Sequence, residues 1–225
     1  MITHEFLPRV ELERKYDNTG RRYYVSPTGF WMPSVTTVLK EFYNKDFSGW
    51  EKRIGKENAE KQRKQALWRG TKVHEMCEKF ILNEDYAKGM MPNVLADFER
   101  LKPILQENVT EVYGLEFMTY SESMDMAGTT DLICKWKNTT SIVDYKTSKK
   151  EKKEAWIEDY FVQAAIYATM ISENFGIDVP QIVIILLVEH ECPQIFEKKV
   201  STYKEKINEV VAFNKGTFTI RSITG

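Results

Sequence analysis

The chain predicts an α/β (α+β) fold, a mixed β-sheet flanked by helices, with a helical lobe at its N-terminal end. Three observations carry this. Short runs rich in branched and aromatic residues alternate with segments of helical period. The apolar run Ile182 to Val188 has the length of a strand covered on both faces. The elements of the C-terminal two-thirds follow the order α-β-β-β-α-β-β-α, which suits helices packed on the faces of one sheet.

Arg21 to Met32 predicts a β-hairpin, with Ser26-Pro27-Thr28-Gly29 as its turn. Pro33-Ser34 marks a helix entry, with Ser34 as N-cap. Lys40 to Gln65 is rich in charge, and Phe42, Tyr43, Phe47 and Trp50 are scattered through it, so it predicts partly exposed helix. A helix is expected to open at Arg69-Gly70. Its buried face is Val73, Met76, Cys77, Phe80 and Ile81, at spacings of 3 and 4. Val94 to Glu107 predicts a second helix. Strands follow at Val109 to Tyr120, Ala127 to Trp136 and Ser141 to Lys146, the last two joined by a turn over Lys137 to Thr140. Ala155 to Phe175 predicts a helix ended by Gly176. Gln181 to Val188 and Gln194 to Val200 predict a strand pair, and Tyr203 to Asn214 a closing helix.

With 42% hydrophobic and 29% charged residues, the composition is that of a globular domain. No apolar run approaches the ~18 residues of a membrane span, so no membrane association is expected. The N-terminus lacks a signal-like pattern, and Glu5, Glu11 and Glu13 argue against a transit peptide. Three widely spaced cysteines, Cys77, Cys134 and Cys192, exclude a four-cysteine iron–sulfur cluster and fit a reducing cytoplasm. P-loop, Rossmann and Ser–His–Asp motifs are absent.

The formal net charge of −1 conceals segregation. Lys40 to Lys72 carries ten basic and five acidic residues, and Lys146 to Lys153 five lysines and one glutamate. Such segregation can build a basic groove on an acidic body, or simply solvated helix faces.

A turn symmetric about Asn138-Thr139 places Asp131 across from Lys146. Asp144 and Lys146, two apart on one strand, then share its face. A slip of one residue would send Asp131 to the other side. Two carboxylates and a lysine drawn together suit a hard divalent cation such as Mg²⁺, whose shell is completed by water and phosphate oxygens. An Asp–Lys salt bridge is the plainer alternative. His74 is placed one turn inside its helix. Gln163 and Tyr167 lie at i and i+4 on one helix face with Tyr160, Ala164 and Ile171.

The ordered set His74, Gly128-Thr-Thr-Asp131, Asp144-Tyr-Lys146 and Gln163-x-x-x-Tyr167 resembles the RecB-like branch of the PD-(D/E)XK nucleases. Pro33-Ser-Val-Thr-Thr-Val-Leu39, Trp50 with Gly55, Arg69-Gly-Thr-x-x-His74 and Asp144-Tyr-Lys-Thr-Ser148 resemble, more closely, the mitochondrial genome maintenance exonuclease group with its phage and bacterial relatives. The resemblance implies a restriction-endonuclease-like core. Residues 1–225 would form one nuclease domain, with a hairpin and helical arch over 1–68 and the catalytic core over 69–225.

It also implies roles. His74, Asp131, Asp144 and the Tyr145 carbonyl would hold one or two Mg²⁺ or Mn²⁺ ions, and Lys146 would position or activate the attacking water. Glu116 would be the acidic residue that relatives carry on the preceding strand. Trp50, Trp68, Arg69, Thr147, Ser148, Lys149, Gln163 and Tyr167 would line or support the DNA path. The function implied is a metal-dependent exonuclease acting in DNA replication, recombination or repair. Its substrate would be single-stranded DNA with a free end, in the cytoplasm of a bacterial or phage-infected cell. The alternatives are a flap or structure-specific endonuclease on the same core, and a catalytically silent DNA-binding module.

Overall fold

The computed structural model describes residues 2–46 and 48–217. Phe47 of the charge-rich stretch lies outside them.

The main sheet has six strands: β1 (Thr3–His4), β5 (Val109–Ser121), β6 (Met126–Trp136), β7 (Thr139–Ser148), β8 (Gln181–Val188) and β9 (Gln194–Lys199). They are ordered β1-β5-β6-β7-β8-β9. The β1–β5 and β7–β8 pairs are parallel and the others antiparallel. A second sheet of three antiparallel strands comprises β2 (Glu13–Tyr16), β3 (Arg22–Val25) and β4 (Trp31–Pro33). The expected hairpin is its β3–β4 half. The two-residue β1 and the polar β2 carried no period from which to predict them.

Among the described residues the α-helices are α1 (Val35–Tyr43), α2 (Ser48–Ile54), α3 (Lys56–Ile81), α4 (Pro92–Asn108), α5 (Glu158–Phe175) and α6 (Lys204–Thr217). The Ser34 hydroxyl accepts the Thr37 N–H and caps α1 as expected. Gly176, at φ 66, ends α5. The sheet is covered on both sides. α1, α5 and α6 pack against Ile142, Ile182 and Ile184, while α3 and α4 pack against Val143, Val183, Ile185 and Leu187. Alternate residues of β8 thus enter opposite layers, which explains its unbroken apolar run. Among the described residues no helix is long and apolar enough to cross a membrane.

Two local expectations fail. α3 does not open at Arg69-Gly70: it starts at Lys56 behind Gly55, at φ 83, and runs unbroken through Gly70. His74 therefore lies about five turns inside a helix that begins in the charge-rich segment. Gly70 costs that helix only about 1 kcal/mol relative to alanine, too little to break 26 residues anchored by packing. Here α3 passes close to β7, and a Cβ on Gly70 would stand 3.7 Å from Thr147 Oγ1.

The second failure is the β6–β7 register. Trp136 pairs with Thr139, so the turn is the two-residue Lys137-Asn138, both with positive φ, at 48 and 68. The expected pairing is shifted by two. Counting on from Leu132↔Val143 sets Asp131 beside Asp144, not across from Lys146.

Candidate functional site

The regular pairing of β6 with β7 stops at Leu132↔Val143, just before the two aspartates. In its place the Asp131 Oδ2 accepts the Tyr145 N–H at 2.8 Å. The next strand departs from regularity at the same level. Glu116, opposite Asp131 by register count, has φ 43, in the left-handed region where a non-glycine residue is uncommon. Inward and outward positions exchange here. Leu115 and Phe117, two apart on β5, lie in opposite core layers. A carboxylate is thereby delivered at the break from each of β5 and β6.

α3 supplies the third group. The His74 Nε2–H donates to the Tyr145 carbonyl at 2.9 Å, and Nδ1 lies 3.4 Å from Asp131 Oδ1 and 3.7 Å from Glu116 Oε1. One donor atom from each of His74, Glu116 and Asp131 falls within 4.8 Å of the others. A nitrogen and two carboxylate oxygens at that spacing fit a divalent cation, softer in ligand than an all-oxygen set. A ring nitrogen fixed by donation to a backbone carbonyl, with its partner facing the acids, is the usual orientation of a metal-binding histidine.

Asp144 and Lys146 stand beside this group. Asp144 is 1% exposed, and its Oδ2 lies 2.5 Å from Lys146 Nζ. Lys146 Nζ also sits 5.2 Å from the centre of the Tyr160 ring, a contact the sequence did not suggest beyond placing Tyr160 on the same helical stripe.

These groups shift one another. Burial disfavours a charged His74 ring, yet the Asp131 and Glu116 carboxylates together outweigh it and push the pKa up to about 10. Burial likewise works against ionised Asp131, but His74 holds its carboxyl below the usual range. For Asp144 burial dominates, raising it to about 6 in spite of Lys146. Burial disfavours the Lys146 cation, and Asp144 and Asp131 together more than restore it.

The remaining predicted residues divide into three groups. Tyr167 is 1% exposed, and its phenol occupies the space a Cβ on Gly128 would need, 2.7 Å away. It supports the Gly128–Asp131 segment from within and has no surface to offer a ligand. Gln163 is half-buried beside it. Arg69 is also structural. It binds Asp97 of α4 at 2.7 Å and donates to the Ser148 carbonyl at 3.3 Å, tying α3, α4 and the end of β7 together.

Thr147 and Ser148 are half-buried at the end of β7, and Lys149 is exposed with its Nζ 3.3 Å from Gln62 of α3. Trp68 is 42% exposed on α3. Trp50 is half-buried under the Arg63 guanidinium, 5.3 Å from its ring centre. Two features had no sequence signal. Trp156 is 57% exposed beside Lys153, and a cavity of about 360 Å³ opens beside Glu116, lined also by Arg9 to Leu12.

The family model of the PD-(D/E)XK nuclease superfamily matches residues 35–214. The human mitochondrial genome maintenance exonuclease 1 is 25% identical over 131 residues, covering 54% of this chain and 38% of that protein. A crystal structure from Eubacterium rectale, provisionally described as an exonuclease, superimposes with a TM-score of 0.44 at 16% identity, over 67% of this chain and 65% of that one. Such loose overlap adds nothing to the argument. The family match spans the site residues from His74 to Tyr167 and most of the chain: this protein belongs to the PD-(D/E)XK nuclease superfamily.

Proposed function

We propose that the chain is a metal-dependent DNA exonuclease that prefers single-stranded DNA with a free end. The observation that carries this reading is the convergence of His74, Glu116 and Asp131 within 4.8 Å, with Asp144 and Lys146 alongside. When bound there, Mg²⁺ or Mn²⁺ would polarise the scissile phosphate and acidify a water.

The chain's own residues do the rest. Asp131 and Glu116 supply negative charge from two strands, and His74 Nδ1 completes the set once it has released its proton. Lys146, held as a cation by Asp144, orients the attacking water and faces the phosphate charge; with its pKa raised it is an orienting donor rather than a base. Tyr145 serves through its backbone, which fixes His74 with its carbonyl and Asp131 with its N–H.

Single-strand preference rests on the lobe ahead of His74. Trp68 and Leu67 are exposed on α3, at 42% and 74%, amid the basic residues of the segment. Exposed aromatic faces stack on unpaired bases without reading sequence, while lysines and arginines follow the backbone. Part of that charge is balanced locally: Arg63 pairs with Glu51 and Lys64 with Glu60.

The test is digestion of end-labelled linear single-stranded, linear duplex and circular single-stranded DNA, with Mg²⁺, Mn²⁺ or chelator. Linear single strands should be degraded from an end and circles spared. Equal cutting of circles would replace the exonuclease reading with the endonuclease one.

A further inference from the structure

β2 and β3 carry two arginines that the metal centre does not use. Arg14 pairs across the strands with Tyr24, and Arg22 precedes Tyr24 by two on the same strand, so all three point from one face of the small sheet. Both guanidinium groups lie over the Tyr24 ring, at 5.6 and 5.7 Å from its centre. Tyr24 is fully buried, packed with Leu12, Met32 and Ala127 of β6. Its hydroxyl meets Thr129 Oγ1 at 3.3 Å. Thr129 is two residues before Asp131, about 7 Å of strand. The arginine pair is therefore tied, through Tyr24 and Thr129, to the strand that carries Asp131.

Among the described residues neither arginine has a carboxylate within ion-pair distance. Arg22 is half-buried, donates to Thr36 Oγ1 at 2.5 Å, and has a buried Nε with no acceptor. The positive charge of Arg22 is also felt at the Tyr167 phenol, on the Asp144 side of the site. Two like charges held over one ring, one of them half-buried and short of an acceptor, are costly unless an anion joins them. Guanidinium groups match phosphate oxygens in geometry and charge.

We propose that Arg14 and Arg22, set over Tyr24, form a binding site for a backbone phosphodiester of the substrate strand. This rests on the reading of the chain as a DNA nuclease. The site takes the anionic backbone, whose charge the two guanidinium groups match and a neutral base edge lacks. It is a positioning device: it fixes where the strand lies relative to His74, Asp131 and Lys146.

The test uses the full chain with a fluorescent single-stranded oligonucleotide in Ca²⁺, followed by anisotropy across a salt series. Arg22→Ala should weaken binding about tenfold and flatten the log–log salt slope by about 0.7, the value for one single-strand phosphate contact. Arg14→Ala, at an exposed position where folding is not at risk, should do the same more mildly. Arg22→Lys should restore the slope but only part of the affinity. A strand carrying one neutral methylphosphonate, moved along its length, should bind the wild type weakly at one position and Arg22→Ala indifferently there. Wild-type slope and affinity in folded Arg22→Ala and Arg14→Ala would overturn the assignment, while wild-type binding and cleavage would leave the nuclease reading intact. A wild type that neither binds nor cuts DNA would remove both.

Discussion

His74 donates to the backbone carbonyl of Tyr145 at 2.9 Å, and this contact fixes which ring nitrogen faces the acids. Nδ1 is turned to Asp131 at 3.4 Å and carries a proton whenever the ring is charged. With a pKa near 10 the ring is charged at neutral pH in the metal-free protein. A cation must displace that proton.

Metal binding should therefore release close to one proton per site at pH 7 to 8. Apparent affinity should rise with pH, by up to about tenfold per unit, until the pH passes the His74 value. Calorimetry with Mn²⁺ in buffers of different ionisation enthalpy measures the proton count. Zero release would mean that His74 is not a ligand. His74→Ala should abolish the release and weaken Mg²⁺ dependence more than Mn²⁺ dependence, with DNA affinity nearly unchanged.

The His74–Asp131 pair also stabilises the metal-free fold. The folded histidine pKa lies above its ordinary 6.5, so the contribution is full below about pH 6.5 and is lost as pH rises toward about 10. Urea unfolding of the chelator-treated protein should show the wild-type advantage over His74→Ala shrinking across that window. A constant difference from pH 6 to 10 would refute the coupling.

Asp144 is the converse case. Burial raises its carboxyl to about 6, so its ionised form costs stability that appears as pH rises from about 4 to 6. Asp144→Asn should remove that slope and leave Tm equal or higher, while cleavage falls by about a thousandfold, as several kcal/mol of charge stabilisation are lost. Asp131→Ala should be equally inactive. Near-normal turnover in either purified variant would dismiss the assignment.

Lys146→Ala should lose most activity at saturating Mg²⁺ or Mn²⁺, because excess cation cannot replace an ammonium aimed at the water. Full recovery at high metal would reduce Lys146 to a charge neighbour of Asp144. Titrating the rate against metal concentration distinguishes the two.

Gly128→Ala tests the support behind the acids. Its Cβ would meet Tyr167 Cε1 and Oη at 2.7 Å, with the ring itself buried. Destabilisation of about 1–3 kcal/mol is expected by denaturant melt. Tyr167→Leu in the same chain should recover part of it, since the clash is with that ring. A neutral Gly128→Ala would show that the ring moves freely.

Period and punctuation in the sequence were enough for most elements. The apolar run Ile182 to Val188 of β8, the α5 stop at Gly176 and the Ser34 cap are local effects, written in a few neighbouring residues. The candidate residues His74, Asp131, Asp144 and Lys146 were legible too, as an ordered set of chemistries. What the sequence could not decide was how they meet. The two-residue turn at Lys137-Asn138 was one choice among several short turns, and it moved Asp131 from Lys146 to Asp144. Gly70 looked like a helix start, because the packing that carries α3 through it is tertiary. The left-handed Glu116 breaks the alternation of its strand, so no count along β5 could bring its carboxylate to His74. Arg14 and Arg22 lie far from the motifs in sequence, and only the packing of the small sheet onto β6 sets them beside the site. Composition and period act over a few residues; register is settled by the pairing of neighbouring strands, and helix continuation and sheet stacking by contacts between distant segments, such as Tyr24 and Thr129, 105 residues apart.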